Sequence, residues 1–234
     1  TFSDHDPAAH VLAKQAEWID GAWTVGIHTP QGDFACRLHI AGRHNVRNAL
    51  AATACALAAG VSLEKIALGL NQFEPVGGRS RASEIHWPSG PMTLVDDTYN
   101  ANPDSVIAAI NVLAELPGPR RLVLGDMGEV GDQGLAFHLE VLGHAQACGI
   151  DTVDVAGDWM SQAVAALPTE GAQAPRLWHD VDALANEVCA TAAEYRSVLV
   201  KGSRFMQMER VVKALQAKAT APQQTPAHGV THVA

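Results

Sequence analysis

Three short apolar runs, residues 122–124, 152–155 and 197–200, constrain this chain more than any other feature. A strand with one wet face alternates apolar and polar residues, whereas a strand covered on both faces reads as a continuous apolar run. Stretches of helical length and period separate these runs, at about 134–147, 158–167, 180–194 and 204–218. Parallel neighbours cannot be joined by a tight turn and need a crossover, usually a helix. The pattern therefore predicts an α/β fold, a doubly wound, Rossmann-like domain with right-handed crossovers.

The first third of the chain obeys a different grammar. Trp23, Val25 and Ile27 alternate with Thr24, Gly26 and His28; Pro30-Gln31-Gly32-Asp33 supplies a turn, and Phe34, Cys36, Leu38 and Ile40 alternate again. This predicts antiparallel strands over residues 1–42. Asn45 is placed to cap a helix through Leu50, Ala54 and Leu57 that closes at Gly60, and Ser62 to cap a second with Leu63, Ile66 and Leu70 on one face. The breakers Glu74-Pro75-Val76-Gly77-Gly78-Arg79 then predict a boundary, with one unit over 1–79 and a second over 80–220. In the second unit, residues 84–87 and 92–95 flank Pro88-Ser89-Gly90 as a hairpin, and Asn102-Pro103-Asp104 opens a helix in the order cap, N1 proline, acidic first turn. Residues 221–234 lack periodicity and are expected to form a disordered tail.

Composition narrows the function classes. With 18% charged and 47% hydrophobic residues the chain has enough apolar material for folded cores. A formal charge of -9 argues against a general binder of nucleic acid or anionic membranes, which needs clustered Lys and Arg. No apolar run reaches membrane-spanning length and no stretch of this sequence reads as a signal peptide. Cys36, Cys55, Cys148 and Cys189 are far apart, which suits reduced thiols in a cytoplasmic protein. The sequence opens on Thr1 within a polar segment, which is read as the start of a fragment.

In an open parallel sheet, ligands bind beyond the carboxyl ends of the strands. Three strands here end in polar sequence: Asp96-Asp97-Thr98-Tyr99-Asn100-Ala101-Asn102, Gly125-Asp126-Met127-Gly128-Glu129, and Lys201-Gly202-Ser203-Arg204. A single Asp at a strand end is more often a cap or a turn former, but three such ends facing one crevice point to a site. A carboxylate of the Asp96-Asp97 pair can hold ribose hydroxyls or a metal, and Lys201 beside a flexible backbone suits a carboxylate or phosphate. Arg79, next to the breaker segment, can reach a bound phosphate. Gly125, Gly128 and Gly131 have the wrong spacing for a dinucleotide fingerprint and are read as turn formers. The histidines show no metal spacing in the folded part; His228 and His232 fall in the expected tail.

Five ordered motifs together resemble the Mur ligases. They are Gly42-Arg43-His44-Asn45-Val46-Arg47-Asn48-Ala49-Leu50-Ala51-Ala52, Gly78-Arg79, Asp96-Asp97-Thr98-Tyr99-Asn100-Ala101-Asn102-Pro103, Gly125-Asp126-Met127-Gly128-Glu129, and Leu199-Val200-Lys201-Gly202-Ser203-Arg204. The third and fifth strings favour the branch that joins D-alanyl-D-alanine to UDP-MurNAc-tripeptide in cytoplasmic peptidoglycan synthesis. The resemblance implies the last β-hairpin and helices of a central ATPase domain followed by a Rossmann-like ligase domain, with ATP and Mg2+ as cofactors and the metal's ligands mainly outside this chain. It implies nucleotide contacts at Asn45, Asn48, Arg79, Asp97 and Tyr99. It also implies substrate contacts at Lys201, Ser203, Asn102, Asp126 and Glu129, and no catalytic or metal-ligating residue with a firm assignment. No Gly-Lys-Ser or Gly-Lys-Thr string occurs here, so the family's phosphate-binding loop is absent from this sequence and the chain alone is expected to be inactive. Two alternatives remain open at this point. A phospho-receiver module also pairs acids after its first strand and places an Asp and a Lys after later ones, as Asp96/Asp97, Asp126 and Lys201 do. Folylpolyglutamate synthetase is the nearer relative, disfavoured by the Tyr99-Asn100-Ala101-Asn102 string.

Overall fold

The computed structural model describes residues 1–167 and 174–219; the expected tail and its histidines lie outside them. The chain opens with β1 (Phe2–Ser3), β2 (Val11–Ile19), β3 (Ala22–Thr29) and β4 (Gly32–Leu38), a four-stranded sheet in that order. The β2–β3–β4 portion is antiparallel, as the alternation requires, so the expected hairpin is a three-stranded meander. β1 departs from the antiparallel expectation. It runs parallel to β2, because the chain loops out over residues 4–10 and re-enters in the same direction, with Val11 N–H bonded to Thr1 O at 3.1 Å.

Helices α1 (Arg43–Ala58) and α2 (Leu63–Asn71) follow. Val46, Ala49 and Leu50 of α1 bury against Val25, Ile27, Cys36 and Leu38. Asn45 is not the cap of α1. The helix begins three residues earlier with Gly42 at the N-cap, φ 95°, a conformation that glycine adopts and L side chains rarely do. A Cβ at Gly42 would also lie 2.8 Å from both His44 Nδ1 and Val112 Cγ2. Gly60, φ 78°, ends α1 as expected, and Ser62 occupies the N-cap of α2 without a side-chain capping bond.

The second sheet comprises β5 (Arg81–Trp87), β6 (Gly90–Asp97), β7 (Arg120–Gly125), β8 (Thr152–Ala156), β9 (Arg176–Trp178) and β10 (Ser197–Lys201), in spatial order β5-β6-β10-β7-β8-β9. β5 is antiparallel to β6, and all other pairings are parallel. The interleaved helices are α3 (Pro103–Glu115), α4 (Gly134–Ala147), α5 (Asp158–Ala166), α6 (Val181–Ala190) and α7 (Glu209–Lys218). β9, three half-exposed edge residues, carries no periodicity to read and was not expected. The helices foreseen at 180–194 and 204–218 are shorter. The first ends at Ala190 before a 3-10 turn, and the second starts at Glu209 after another, with left-handed Gln207 between.

Along the chain, β6, β7, β8 and β9 step outward with α3, α4 and α5 on one face. The path then turns back to β10, with α6 and α7 on the other face. A reversal of direction combined with right-handed crossovers places helices on opposite faces. It also slots β10 between β6 and β7 and creates a switch point there. Alternation along one strand feeds both cores: Leu122 and Leu124 enter the first, Val123 the second. Two charges interrupt these buried strands. Arg121 donates from Nε to Asp154 Oδ2 at 2.7 Å with both side chains fully buried, and Thr191 and Trp178 complete the cluster at 2.6 and 2.8 Å. The charges are paired, as burial demands, since a charge left unpaired costs several kcal/mol, but Arg121 Nη2 has no hydrogen-bond partner.

Candidate functional site

The switch point brings the ends of β6 and β10 beside the segment that joins the two sheets. Asp96 and Asp97 divide the work. Asp96 accepts from Gly78 N–H at 3.1 Å and from Thr98 Oγ1 at 2.6 Å. Asp97 accepts from Ser80 N–H at 2.8 Å and Ser80 Oγ at 3.2 Å on one oxygen, and from Lys201 Nζ at 2.7 Å on the other. Lys201, 3% exposed at its side chain, also donates to Asn100 O at 2.8 Å. Alternate residues of a strand point to opposite faces, so adjacent carboxylates grip the joining segment at two places. Tyr99 N–H returns a bond to Gly78 O at 2.9 Å, and the Arg79 guanidinium lies 4.3 Å over the Tyr99 ring.

These groups border a cleft of about 440 Å³ lined by His44, Asn45, Arg79, Asp97, Tyr99 and Lys201, with an apolar wall from α3. At Asn45 the cleft meets a second hollow of about 260 Å³, walled by Leu38, Ile40, Ala49, Ala52, Leu70 and Phe73 and edged by Asn45 and Asn48. Asn48 Nδ2 donates to Asn45 Oδ1 at 3.1 Å. A third hollow, about 430 Å³, shares Asn100 and Asn102 with the cleft and adds Asp104, Glu129 and Phe137. Glu129 holds a left-handed backbone, φ 58°. The five residues expected at a nucleotide thus line two adjoining hollows, and Asn102 and Glu129 line the third.

Asp126 and Ser203 do not join them. Asp126 is buried, and its oxygens accept from Trp159 N–H at 3.1 Å and Met160 N–H at 2.9 Å, capping α5 where the N-cap residue Gly157 has no side chain. His138 packs beside it, with Nε2 accepting from Met127 N–H at 2.9 Å and Nδ1 donating to Gly134 O at 2.6 Å. Ser203 Oγ donates to Ala101 O at 3.2 Å and accepts from Gly128 N–H at 2.6 Å, so it ties three strand-end loops together. The resemblance implies substrate contacts for both, whereas in this structure their side chains are engaged by backbone groups distant in sequence. His44, Ser80 and the carbonyl of Asn100 were missed. His44 lies inside the Gly42–Ala52 motif, where nothing in the sequence marks its ring as the partner of the Asn45 amide.

A family profile described as "Mur ligase, glutamate ligase domain" matches residues 81–204, more than half of the chain. The chain belongs to the Mur ligase family. It is 40% identical over 196 residues to the UDP-N-acetylmuramoyl-tripeptide–D-alanyl-D-alanine ligase of Escherichia coli, covering 83% of this chain and 42% of that protein. It is 37% identical over 208 residues to the Haemophilus influenzae ligase of the same name. A crystal structure of MurF from Acinetobacter baumannii superposes with a TM-score of 0.72 at 36% identity, over 93% of this chain and 46% of that one. The fold is shared with MurF from Thermotoga maritima in complex with ADP, TM-score 0.71 at 21% identity. The chain thus spans less than half the length of these relatives. Membership sets the phospho-receiver alternative aside, and the geometry agrees: the Asp126 carboxylate is 4% exposed and occupied on both oxygens.

Proposed function

We propose that this chain forms the nucleotide-facing and amine-facing walls of an ATP-dependent ligase that adds D-alanyl-D-alanine to UDP-MurNAc-tripeptide in cytoplasmic peptidoglycan synthesis. The observation that carries this reading is the junction at Asn45. There an apolar hollow edged by two amides opens into a cleft that holds Arg79 and Lys201. A planar base fits an apolar slot with amide groups at its rim, and phosphates fit a cleft with guanidinium and ammonium groups. The names and the 40% identity of the relatives support the choice of substrates.

Each residue then has a task. Asn45 and Asn48 recognise the base edge. Asp97 retains lone-pair capacity on the oxygen that Lys201 approaches and can accept from a ribose hydroxyl. Arg79, stacked on an exposed ring, is free to turn toward a phosphate. Asn102, Asp104 and Glu129 give the third hollow an acidic rim suited to the ammonium of the incoming dipeptide. Bound ATP would supply the phosphoryl group that activates the peptide carboxylate as an acyl phosphate. The residues present do not fit a resident Mg2+. Among the described residues there is no group of three or more His, Cys, Asp or Glu side chains arranged for a metal ion, and Asp96 and Asp97 are engaged by backbone N–H groups and Lys201.

Titration of ATP into the isotopically labelled chain should shift the amides of Asn45, Asn48, Arg79, Asp97 and Tyr99 together, with no dipeptide ligation by the chain alone. Shifts confined to other residues, or none, would overturn the nucleotide assignment. Ligase turnover by the isolated chain would overturn the division of labour.

A further inference from the structure

The Asn45 amide has little hydrogen-bonding capacity left for a ligand, and what is left is of one kind. Ala41 O can only accept, so the Asn45 atom 2.7 Å from it is Nδ2, which fixes the orientation of the amide. The second Nδ2 proton points to His44 Nε2 at 3.0 Å. Oδ1 already accepts from Asn48 Nδ2 at 3.1 Å and keeps one lone pair. The imidazole can accept at Nε2 only when its proton is on Nδ1, so the arrangement requires neutral His44 in that tautomer. The ring lies against Gly42, where a Cβ would be 2.8 Å from Nδ1, and lines the same cleft as Val112.

We infer that His44 is a positioning residue for base selection: by occupying the second Asn45 N–H it leaves that amide able only to accept, so that Asn45 favours a 6-aminopurine over a 6-oxopurine. This rests on the nucleotide reading above and adds the chemical origin of its selectivity. An exocyclic amino group donates to the remaining lone pair of Oδ1. A carbonyl oxygen there sets lone pair against lone pair. If His44 is removed, the second N–H becomes available and can satisfy the carbonyl, so discrimination collapses. If His44 is protonated, Nε2–H confronts Nδ2–H and the amide keeps only Ala41 O and Asn48 as partners.

The groups around the ring decide when this happens. Asp97 at the end of β6 and Glu115 on α3 favour protonation, but burial opposes it more strongly and holds the imidazole below its ordinary value of 6.5. Arg79, Tyr99 and Lys201 line the same cleft. Arg43 and Arg47 on its own helix are turned to Asp4, at 3.5 and 3.8 Å. His44 is therefore neutral at physiological pH, and base selection is in force there.

The test titrates adenosine and inosine, which differ at position 6 and carry no phosphate that titrates nearby, into the chain, with binding read from amide shifts. Wild type should prefer adenosine by about tenfold or more, the consequence of one unsatisfied polar contact. H44A should bring the two within about threefold, and H44Q, whose side-chain oxygen can accept in place of Nε2, should keep the preference. Adenosine affinity should fall on acidification through the His44 titration in wild type and stay level in H44Q. The side-chain nitrogen shifts of His44 should report the Nδ1–H tautomer at neutral pH. Absence of adenosine shifts would overturn the nucleotide reading and this inference together. Adenosine binding with the same selectivity in H44A, or with no dependence on pH in wild type, would overturn the inference alone. If H44A does not fold, H44Q and the wild-type pH series still decide.

Discussion

Lys201 shows how one residue serves two purposes. Its ammonium is almost wholly buried and satisfies Asp97 and the carbonyl of Asn100, so it is part of the fold before it is part of a site. Removing one partner of a buried pair strands the other charge, at a cost of about 3–5 kcal/mol in fully buried cases. Asp97 is 14% exposed at its side chain, so K201M should lower stability by about 2–3 kcal/mol, toward the lower end. Urea unfolding measures this, and a loss under about half a kcal/mol would mean that solvent already screens the pair. D97N should also weaken nucleotide binding, since its amide can turn a donor toward a ribose hydroxyl that needs an acceptor. The sequence announced both residues, because a charge directly after an apolar strand stands out. It did not announce their bond, which joins strands separated by most of the second unit.

At the scale of elements, what can be read depends on how far the stabilising partner lies along the chain. The start of α3 is written locally. Asn102 Oδ1 accepts from Ser105 N–H at 2.9 Å, Ser105 Oγ answers the Asn102 N–H at 3.1 Å, and Pro103 needs no donor. The start of α5 is written elsewhere, on Asp126 at the end of β7, and no local rule finds it. The two caps should differ in cost. N102A should destabilise by about 1 kcal/mol, as an exposed cap does. D126A leaves two N–H groups without acceptors in a buried setting and should cost about 2–4 kcal/mol. Thermal or urea unfolding of the pair decides the order, and equal losses would contradict the assignment of Asp126 to structure. A similar distance explains α1, where local capping logic chose Asn45 but the close approach of His44 and Val112 to Gly42 set the start.

For the whole molecule, the question is how two sheets with separate cores are held in one arrangement. The doubly wound sheet was legible from its continuous apolar strands, whereas the insertion of β10 between β6 and β7 and the edge strand β9 were not, since strand order leaves no local mark. We place the boundary between units at residues 79 and 80, and the bonds crossing it cluster there. Gly78 N–H goes to Asp96 at 3.1 Å, Tyr99 N–H to Gly78 O at 2.9 Å and Ala41 N–H to Ser80 O at 3.0 Å, while Ser80 N–H, just past the boundary, is held to Asp97 at 2.8 Å. The same short segment carries Arg79 into the cleft, so the arrangement of the sheets and the geometry of the site depend on one backbone. Gly78 has φ 78°, and a Cβ on it would lie 2.8 Å from Tyr99 N. G78A should therefore cost about 1–2 kcal/mol in left-handed strain alone, and the crowding of the Tyr99 amide should loosen its bond as well. The expected signature is local. Hydrogen exchange at Ser80 and Tyr99 should accelerate while the amides of β7 and β10 keep their protection, because opening of this segment does not require the cores to open. Nucleotide shifts at Arg79 and Tyr99 should weaken in parallel, whereas those at Asn48, held by α1, should persist at higher ligand concentration. If exchange at Ser80 and Tyr99 is unchanged in a folded G78A chain, the paired grip of Asp96 and Asp97 is not what fixes the sheets together.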